Sequence, residues 1–576
     1  MSDNYEFEKS SQPQDTDDYS PYVDKQYNGF INDLNSSVYT NTSLTLVQFD
    51  LGQIYNSQKF TNTNDLFMVV PITMVAAFST ANNAATIAPN GGSINLLSMK
   101  SNFIHLVHQA DLQINGKTIE STQPFINIAK HFQMLSEMSV NDLQTMGHTL
   151  GFSETIDNPR SVIWNGNSTD KNGNGLTNNC PFAANGARNP YTLSTTHNTG
   201  AVNDAIASKL GRYVDTANSG GANKIFSNIY TEQQLNNEFK PTYKKSGDYM
   251  IWYDYAVIKL SNLFESLENI GLVRKFDCTL RIWFNTGTVN AIVTNVGTGG
   301  SATPGYNLTP ANNTFTNTCP LMINYLNANA AGGGLPANTA FITAGLYISK
   351  SPSTSYGVVN FNGIGSSSLP ACRIYYSQIQ VEPQKALTYT EQNRNKKVVF
   401  RTILTNQYNA ISGNGGAFNQ LINSGIVHPV GILVIPFISS TESGFGDFQW
   451  KSPFDSCPAT SSPVSLINFQ VSVGGVNQLQ STLNYTYENF VEQINLCESL
   501  TSSDFGVSCG LYSQAYWEMF RHYYVNIERS PLTDKNVARN INISFTNNSL
   551  LKIDILVFTV YSDEFVIDVE SGLVTR

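Results

Sequence analysis

"INFQVSVGG", Ile467–Gly475, alternates apolar and polar residues, stops on two glycines, and gives way shortly afterwards to an aromatic run, "YTYENFVEQI", Tyr485–Ile494. Much earlier the chain writes nearly the same passage: "ADLQING", Ala110–Gly116, then "FINIAKHFQML", Phe125–Leu135. Period-two alternation marks a strand with one buried face, and a terminal Asn-Gly or Gly-Gly marks a tight turn. Other echoes keep the same order. "MVVPITM" around Pro71 is answered by "LVIPFIS" around Pro436, 365 residues on, and Gly116 by Gly474, 358 residues on. "NLFESLENIGLVRKFDCTLRIWF", Asn262–Phe284, is answered loosely by "AYWEMFRHYYVNI", Ala515–Ile527, at a spacing of about 255. A collinear echo with a shrinking offset is what two copies of one β-domain leave behind when the first carries insertions between its middle and late strands. Each copy has room for about eight strands, the size of a jelly roll.

The rest of the chain reads as many strands and few helices. Short alternating or β-branched runs are separated by Gly, Asn, Pro and Ser clusters. Candidate strands are Leu44–Gly52, Leu66–Val75, Asp277–Asn285, Ala340–Ser349, Cys372–Val381 and Leu551–Tyr561. Helices are expected at Lys259–Ile270, with Leu260, Leu263, Phe264 and Leu267 on one face, and at Ser513–Tyr523. Two polar stretches, Asn165–Lys224 and Thr286–Thr318, read as long projecting loops. The expected class is mainly β: two tandem eight-stranded jelly-roll sandwiches with long loop insertions and a few short helices. The expected division is a flexible acidic tail over 1–40, a first roll over 41–350, a linker over 351–368 and a second roll over 369–576.

Composition limits the function. Of 576 residues, 41% are hydrophobic and 11% aromatic, enough for sizeable cores, yet only 13% are charged, against about 25% in typical domains. Uncharged polar residues must cover the surface, which suits extensive packing against neighbours because buried neutral groups cost less than buried ions. A net charge of −10 argues against gripping phosphate backbones. The first 34 residues carry Asp3, Glu6, Glu8, Asp15, Asp17, Asp18, Asp24 and Asp33 against Lys9 and Lys25, so no basic arm is present there. Seven scattered cysteines without a CxxC pair, and no amino-terminal signal-peptide pattern, point to a reduced compartment. The longest apolar runs are too short to span a bilayer and contain proline.

Each candidate for chemistry has a plainer reading. "GVSCG", Gly506–Gly510, matches a nucleophile elbow with Ser508 as nucleophile. An elbow needs a buried strand before it, and an acid and then a histidine after it; His522, the only histidine left, follows too soon with no acid but Glu518 between, so a glycine turn is expected. "DKNGNG" places Asp170, Asn172, Asn174 and Gly175 as in the first half of a calcium loop, but the twelfth position is Pro181 in place of a bidentate Glu. His105 and His108, three apart, would fall on opposite faces of a strand. Glu488 and Glu492 would share a solvated helical face. Arg394, Lys396, Lys397 and Arg401 form the one basic cluster, read as a partner contact. Trp252, Tyr253 and Tyr255 could form an aromatic platform, though clustered aromatics are more often core. No catalytic residue, metal site or cofactor is expected.

Four stretches resemble the double jelly-roll major capsid proteins of icosahedral double-stranded DNA viruses, of the virophage and polinton-like type. "IKLSNLFESLENIGLVRKFDCTLRIWFNTG" (Ile258–Gly287) is similar to that family's helix-plus-strand segment late in the first roll. "CRIYYSQIQVEPQKALTYTEQNRNKKVVF" (Cys372–Phe400) looks like the opening of the second roll. Ser452–Ile494 and Phe520–Ser530 complete the set. The resemblance implies a homotrimeric, pseudo-hexagonal capsomer in the virion shell. It implies itself, neighbouring capsomers, and penton and minor or cement proteins as partners, with the two long loops as outward towers. The protein would be made in the host cytosol without a signal peptide, with no transmembrane segment and no sequence-specific nucleic acid contact. The rival is a β-sandwich glycan-binding or adhesive protein.

Overall fold

The computed structural model describes residues 23–35, 39, 44–55, 59–80, 97–152 except 101 and 123, 168–169, 175–176, 196–197, 214–215, 242–246, 249–295, 306–310, 319–323, 340–348, 371–439, 464–479, 484–495, 508–514, 517, 521–527, 537–549 and 552–575. The first eight-strand unit comprises β1 (Val23–Asn32), β2 (Leu44–Asp50), β3 (Phe67–Thr80), β4 (Val107–Ile114), β5 (Lys117–Ser121), β6 (Tyr249–Lys259), β7 (Cys278–Asn285) and an eighth strand in two pieces, β8 (Ala340–Ile348) and β9 (Arg373–Val381). The second comprises β10 (Lys396–Ile411), β11 (Gly416–Ile426), β12 (Pro429–Ile438), β13 (Leu466–Val473), β14 (Val476–Asn477), β15 (Tyr523–Asn526), β16 (Arg539–Asn547) and β17 (Ile553–Ile567).

When each unit's strands are numbered one to eight, both give the same two sheets. In the second unit they run 1-8-3-6 and 2-7-4-5. In the first, β1 pairs with β9, β9 and β8 both pair with β3, and β3 pairs with β6, which is 1-8-3-6 again. The other sheet is β2-β7-β4-β5, again 2-7-4-5. Two such sheets packed face to face are a jelly roll, and the chain contains it twice.

The two quoted passages occupy the same place in each roll. Both are fourth strands, and both turn into the fifth through a two-residue hairpin of left-handed residues. These are Asn115 (φ 49°) with Gly116 (φ 72°), and Gly474 (φ 59°) with Gly475 (φ 83°). Such turns match strand twist and demand residues that tolerate positive φ. Pro71 and Pro436 both lie in third strands, normally hostile to proline because a ladder donor is lost. Among the described residues each has a strand partner on one side only. Pro71 faces Tyr255, while on its other flank the eighth strand is interrupted between Ile348, opposite Ile72, and Arg373, opposite Val69. Pro436 faces Ile555 beyond the last sixth-strand pair, Val434 with Tyr523.

Several expectations shift. Residues 23–32, assigned to the tail, form β1. Its sequence is polar, only Ile31 of its described side chains is buried, and partners some 350 residues away hold it in place. Cys372–Val381, expected to open the second roll, completes the eighth strand of the first. A strand pattern reveals a strand but not which sheet edge it closes. The third echo is out of register, since Cys278–Asn285 is a seventh strand and Tyr523–Asn526 a sixth. Within the expected 286–318 loop, Gly287–Asn295 pairs with Tyr306–Pro310 and with β8, extending the sheet. The expected helix at Lys259–Ile270 is two short ones, α3 (Leu260–Leu263) and α4 (Glu265–Ile270), split where Phe264 turns extended (φ −122°, ψ 102°). The helix expected over 513–523 cannot reach Tyr523, which begins β15; Glu518 lies outside the described residues. Most of 165–224, the linker 351–368 and tail residues 1–22 also lie outside them.

Candidate functional site

The two rolls meet at a buried seam built on one helix, α1 (Ile126–Glu137), which follows the fifth strand of the first roll. A helix apolar on several sides needs cover on several sides. Ile126 joins the first roll's core, whereas Ile128, Ala129, Phe132 and Leu135 pack into the second roll's. The Phe132 ring is the hub. It lies 5.4 Å from His522, 5.8 Å from Tyr512, 5.9 Å from Tyr524 and 6.3 Å from Phe490, all second-roll residues. The sheet face beneath α1 points away from the second roll's interior. Tyr408 and Tyr523, on the opposite face, touch Phe418 and Phe469 of the facing sheet.

A cavity of about 80 Å³ lies in the seam, lined by Ala129, Lys130, Phe132, Glu137, Glu265 and Arg401 among others. Burial dominates the electrostatics. Glu120 is 3% exposed, and desolvation pushes its carboxyl up to about 7, opposed by the nearby Lys130 and by Ser266 Oγ, which donates to Oε2 at 2.9 Å. Burial likewise raises Glu137, opposed first by the hydrogen bond from Gln133 Nε2, and Glu265, opposed first by Arg401.

The described end of the GVSCG motif, Ser508–Gly510, is part of this seam. Gly510 has φ 60°, and a Cβ there would overlap the backbone carbonyls of Leu135 and Ser136 at the end of α1, while Leu511 N–H donates to Leu135 O at 2.8 Å. Ser508 Oγ accepts from Gly510 N–H at 3.3 Å. The glycine that completes the motif is required by close approach to the first roll. The carboxyl-terminal segment adds a strap: Lys117 Nζ donates to Val574 O at 2.8 Å, Asn115 Nδ2 to Gly572 O, and Arg274 N–H to Val569 O at 2.9 Å.

The remaining candidates disperse. His105 sits in a 3-10 turn (Phe103–Leu106) and not in a strand, because Asn102 caps the turn by accepting from Ile104 N–H. Its ring lies 4.7 Å from that of His131, and Asn127 bonds its Nδ1 at 3.2 Å. His108 is buried in β4, and burial lowers it to about 4. Glu488 and Glu492 are exposed on α6 (Tyr487–Asn495). The basic cluster splits: Lys397 pairs with Glu564 at 2.7 Å on the surface, whereas Arg401 enters the seam. Trp252 is fully buried and Tyr253 nearly so; Tyr255 is partly exposed. Asp170, Asn172, Asn174 and Pro181 lie outside the described residues. Cys278, Cys319, Cys372 and Cys509 are buried and in no disulfide, the first three held well above the usual thiol range by burial. Among the described residues no group of three or more His, Cys, Asp or Glu could hold a metal, and no helix is long and apolar enough to cross a membrane.

The seam missed by sequence reading had one available signal: "FINIAKHFQML" spreads apolar residues around more than one helical face.

Fold and seam together define a mainly β protein of two antiparallel jelly rolls joined by a buried helix. No protein-family model matches the chain, and no curated sequence matches it. Among solved structures it is similar to the Sputnik virophage determined by cryo-EM (TM-score 0.47, 8% identity, 98% of this chain and 91% of that one). It is also similar to the Faustovirus major capsid protein (0.44, 10%, 97% and 93%) and the mavirus major capsid protein (0.42, 10%, 98% and 91%). The strand orders, not these likenesses, carry the fold assignment.

Proposed function

We propose that the chain is a major capsid protein whose homotrimers form pseudo-hexagonal capsomers in the icosahedral shell of a double-stranded DNA virus. One observation carries this reading: a complete 1-8-3-6 and 2-7-4-5 roll occurs twice in one chain, fixed together by a dedicated seam. Two similar upright units per subunit let a threefold oligomer offer six similar sides, and closed homo-oligomers are the usual way to repeat one interface. Division at the strand ends gives a first roll over 23–381 and a second over 396–567, with helix α5 (Pro383–Gln392) between them. The low charge suits surfaces buried against neighbouring capsomers and against penton and minor shell proteins, and a net charge of −10 favours protein over nucleic acid contacts. The location is the virion, and no catalytic step is assigned.

The glycan-binding alternative loses support because Trp252, the best sugar-stacking residue of its platform, is fully buried. Light scattering on a sizing column tests the proposal. A mass about three times 63.3 kDa, with a hexagonal outline in negative stain, is expected. A globular monomer at all concentrations refutes it.

A further inference from the structure

Inside one chain, α1 covers the outer face of the second roll's 1-8-3-6 sheet. Its contact rows are set by register. Gly431, Val560 and Ile403 lie side by side, as do Leu433 and Phe558, with Tyr524 flanking Leu433. Most of these residues line the seam cavity beneath Phe132. The same register positions on the first roll, counted from the end of its sixth strand, are Phe67, Tyr375 and Phe30, with Val69 and Arg373 in the next row.

These residues share the face turned away from the first roll's core, because their neighbours Ile31, Met68 and Ile374 point inward. Tyr375 stacks on Phe67 at 5.0 Å and 4°, and meets Phe30 at 5.7 Å; the Arg373 guanidinium lies 4.7 Å over Phe30. Phe30 is 48% and Phe67 36% exposed. A row of three touching aromatics at the surface, where the matching row of the sister roll lies beneath α1 with Gly431 buried and Val560 and Ile403 partly buried, marks a contact surface.

We infer that a second copy of this chain covers this face, laying its helix α6 across Phe30, Tyr375 and Phe67 as α1 lies across the second roll. The inference rests on the capsomer reading and assigns its contact faces. α6 is the counterpart of α1, since each is the first helix after its roll's fifth strand. Charge complements the match. α6 presents exposed Glu488 and Glu492, and the receiving face carries Arg373 and, opposite Phe67, exposed Lys259. The intrachain seam uses the same polarity, with Glu137 of α1 near Arg401 of the sheet. The contact is head-to-tail, second roll to first, and such contacts generate rings when the rotation closes.

The test uses the full chain, with oligomer mass followed by light scattering across a dilution series. Three variants are compared: Phe30→Asp; Glu488→Lys with Glu492→Lys; and Arg373→Glu with Lys259→Glu. Each is expected to melt as the parent does and to dissociate at a concentration at least tenfold higher. Combining both charge reversals is expected to restore the parent's mass curve. A parent trimer unmoved by all three variants overturns the contact assignment and leaves the capsomer reading standing. Loss without restoration assigns the two faces to different contacts and overturns their pairing. A parent that stays monomeric overturns the capsomer reading and this inference with it.

Discussion

Gly510→Ala separates a structural joint from a catalytic motif. Gly510 holds φ 60°, and an alanine in that region costs roughly 1–2 kcal/mol before any contact is considered. The new Cβ would also overlap the carbonyls of Leu135 and Ser136, and neither can recede: Leu135 is fully buried in the second roll's core and Ser136 is 1% exposed. The turn must lift instead, breaking the bond from Leu511 N–H to Leu135 O (2.8 Å). Losing that bond costs about 1 kcal/mol, or more if the donor stays buried and unpaired. The expected total is about 3 kcal/mol. Ser508→Ala removes only the acceptor of a 3.3 Å bond and is expected to cost about 0.5–1 kcal/mol. Urea unfolding read by the fluorescence of the buried Trp517, whose Nε1 donates to His522 O at 2.8 Å, measures both. A Gly510→Ala midpoint equal to the parent's would refute the close-approach argument. Labelling of Ser508 by an acyl-serine probe would restore the nucleophile-elbow reading.

Two further perturbations probe the seam. Phe132→Ala removes the ring shared by four second-roll aromatics and is expected to cost about 3–5 kcal/mol, seen as a lowered thermal midpoint and faster protease cleavage between the rolls; a change below about 1 kcal/mol would show that α1 is not the hub. Stability should also depend on pH through Glu120. Its folded value, about 7, lies above the ordinary 4.5, so its contribution is fully present below about pH 4.5 and lost as pH rises through 7. The loss is about 3 kcal/mol at 1.36 kcal/mol per pH unit. Glu120→Gln should flatten that part of the urea midpoint against pH, and an unchanged slope would count against the assignment.

What the sequence reveals follows from how locally each feature is specified. The fourth strands are legible because alternation and a left-handed turn are both written within "ADLQING" and "INFQVSVGG". β1 is not legible: "VDKQYNGFIN" buries one apolar side chain, and its strand state is imposed by β9. The eighth strand of the first roll reads as two unrelated strands because residues 349–372 separate its halves, although both pair with β3. The seam is the hardest to read. Its carboxylates, Lys130 and Arg401 look like ordinary surface charges until two distant segments bury them together, and Ser508 looks like a nucleophile until Leu135 and Ser136 are seen to demand Gly510.

The spacing of the strands implies an axis for each roll. Every pairing among the eight numbered strands of each roll is antiparallel, so the connections from strands one, three, five and seven leave from one end, and those from two, four and six from the other. In the first roll the former include residues 81–106, 122–248 and 286–339, and the latter are 51–66, 115–116 and 260–277. The second roll repeats the bias, with 439–465 and 478–522 at one end against 427–428, 474–475 and 527–538 at the other. Length has been added almost wholly at one end of both rolls. Loop length itself costs little, only about 0.6 kcal/mol per doubling, so site tolerance should follow the end and not the sequence. A ten-residue tag placed between residues 330 and 331 should leave the melting temperature and the oligomer mass unchanged. The same tag between Gly474 and Gly475 should destroy the left-handed turn that sets the register of β13 and β14. Equal tolerance at both positions, measured by thermal melt and light scattering, would refute the two-ended reading.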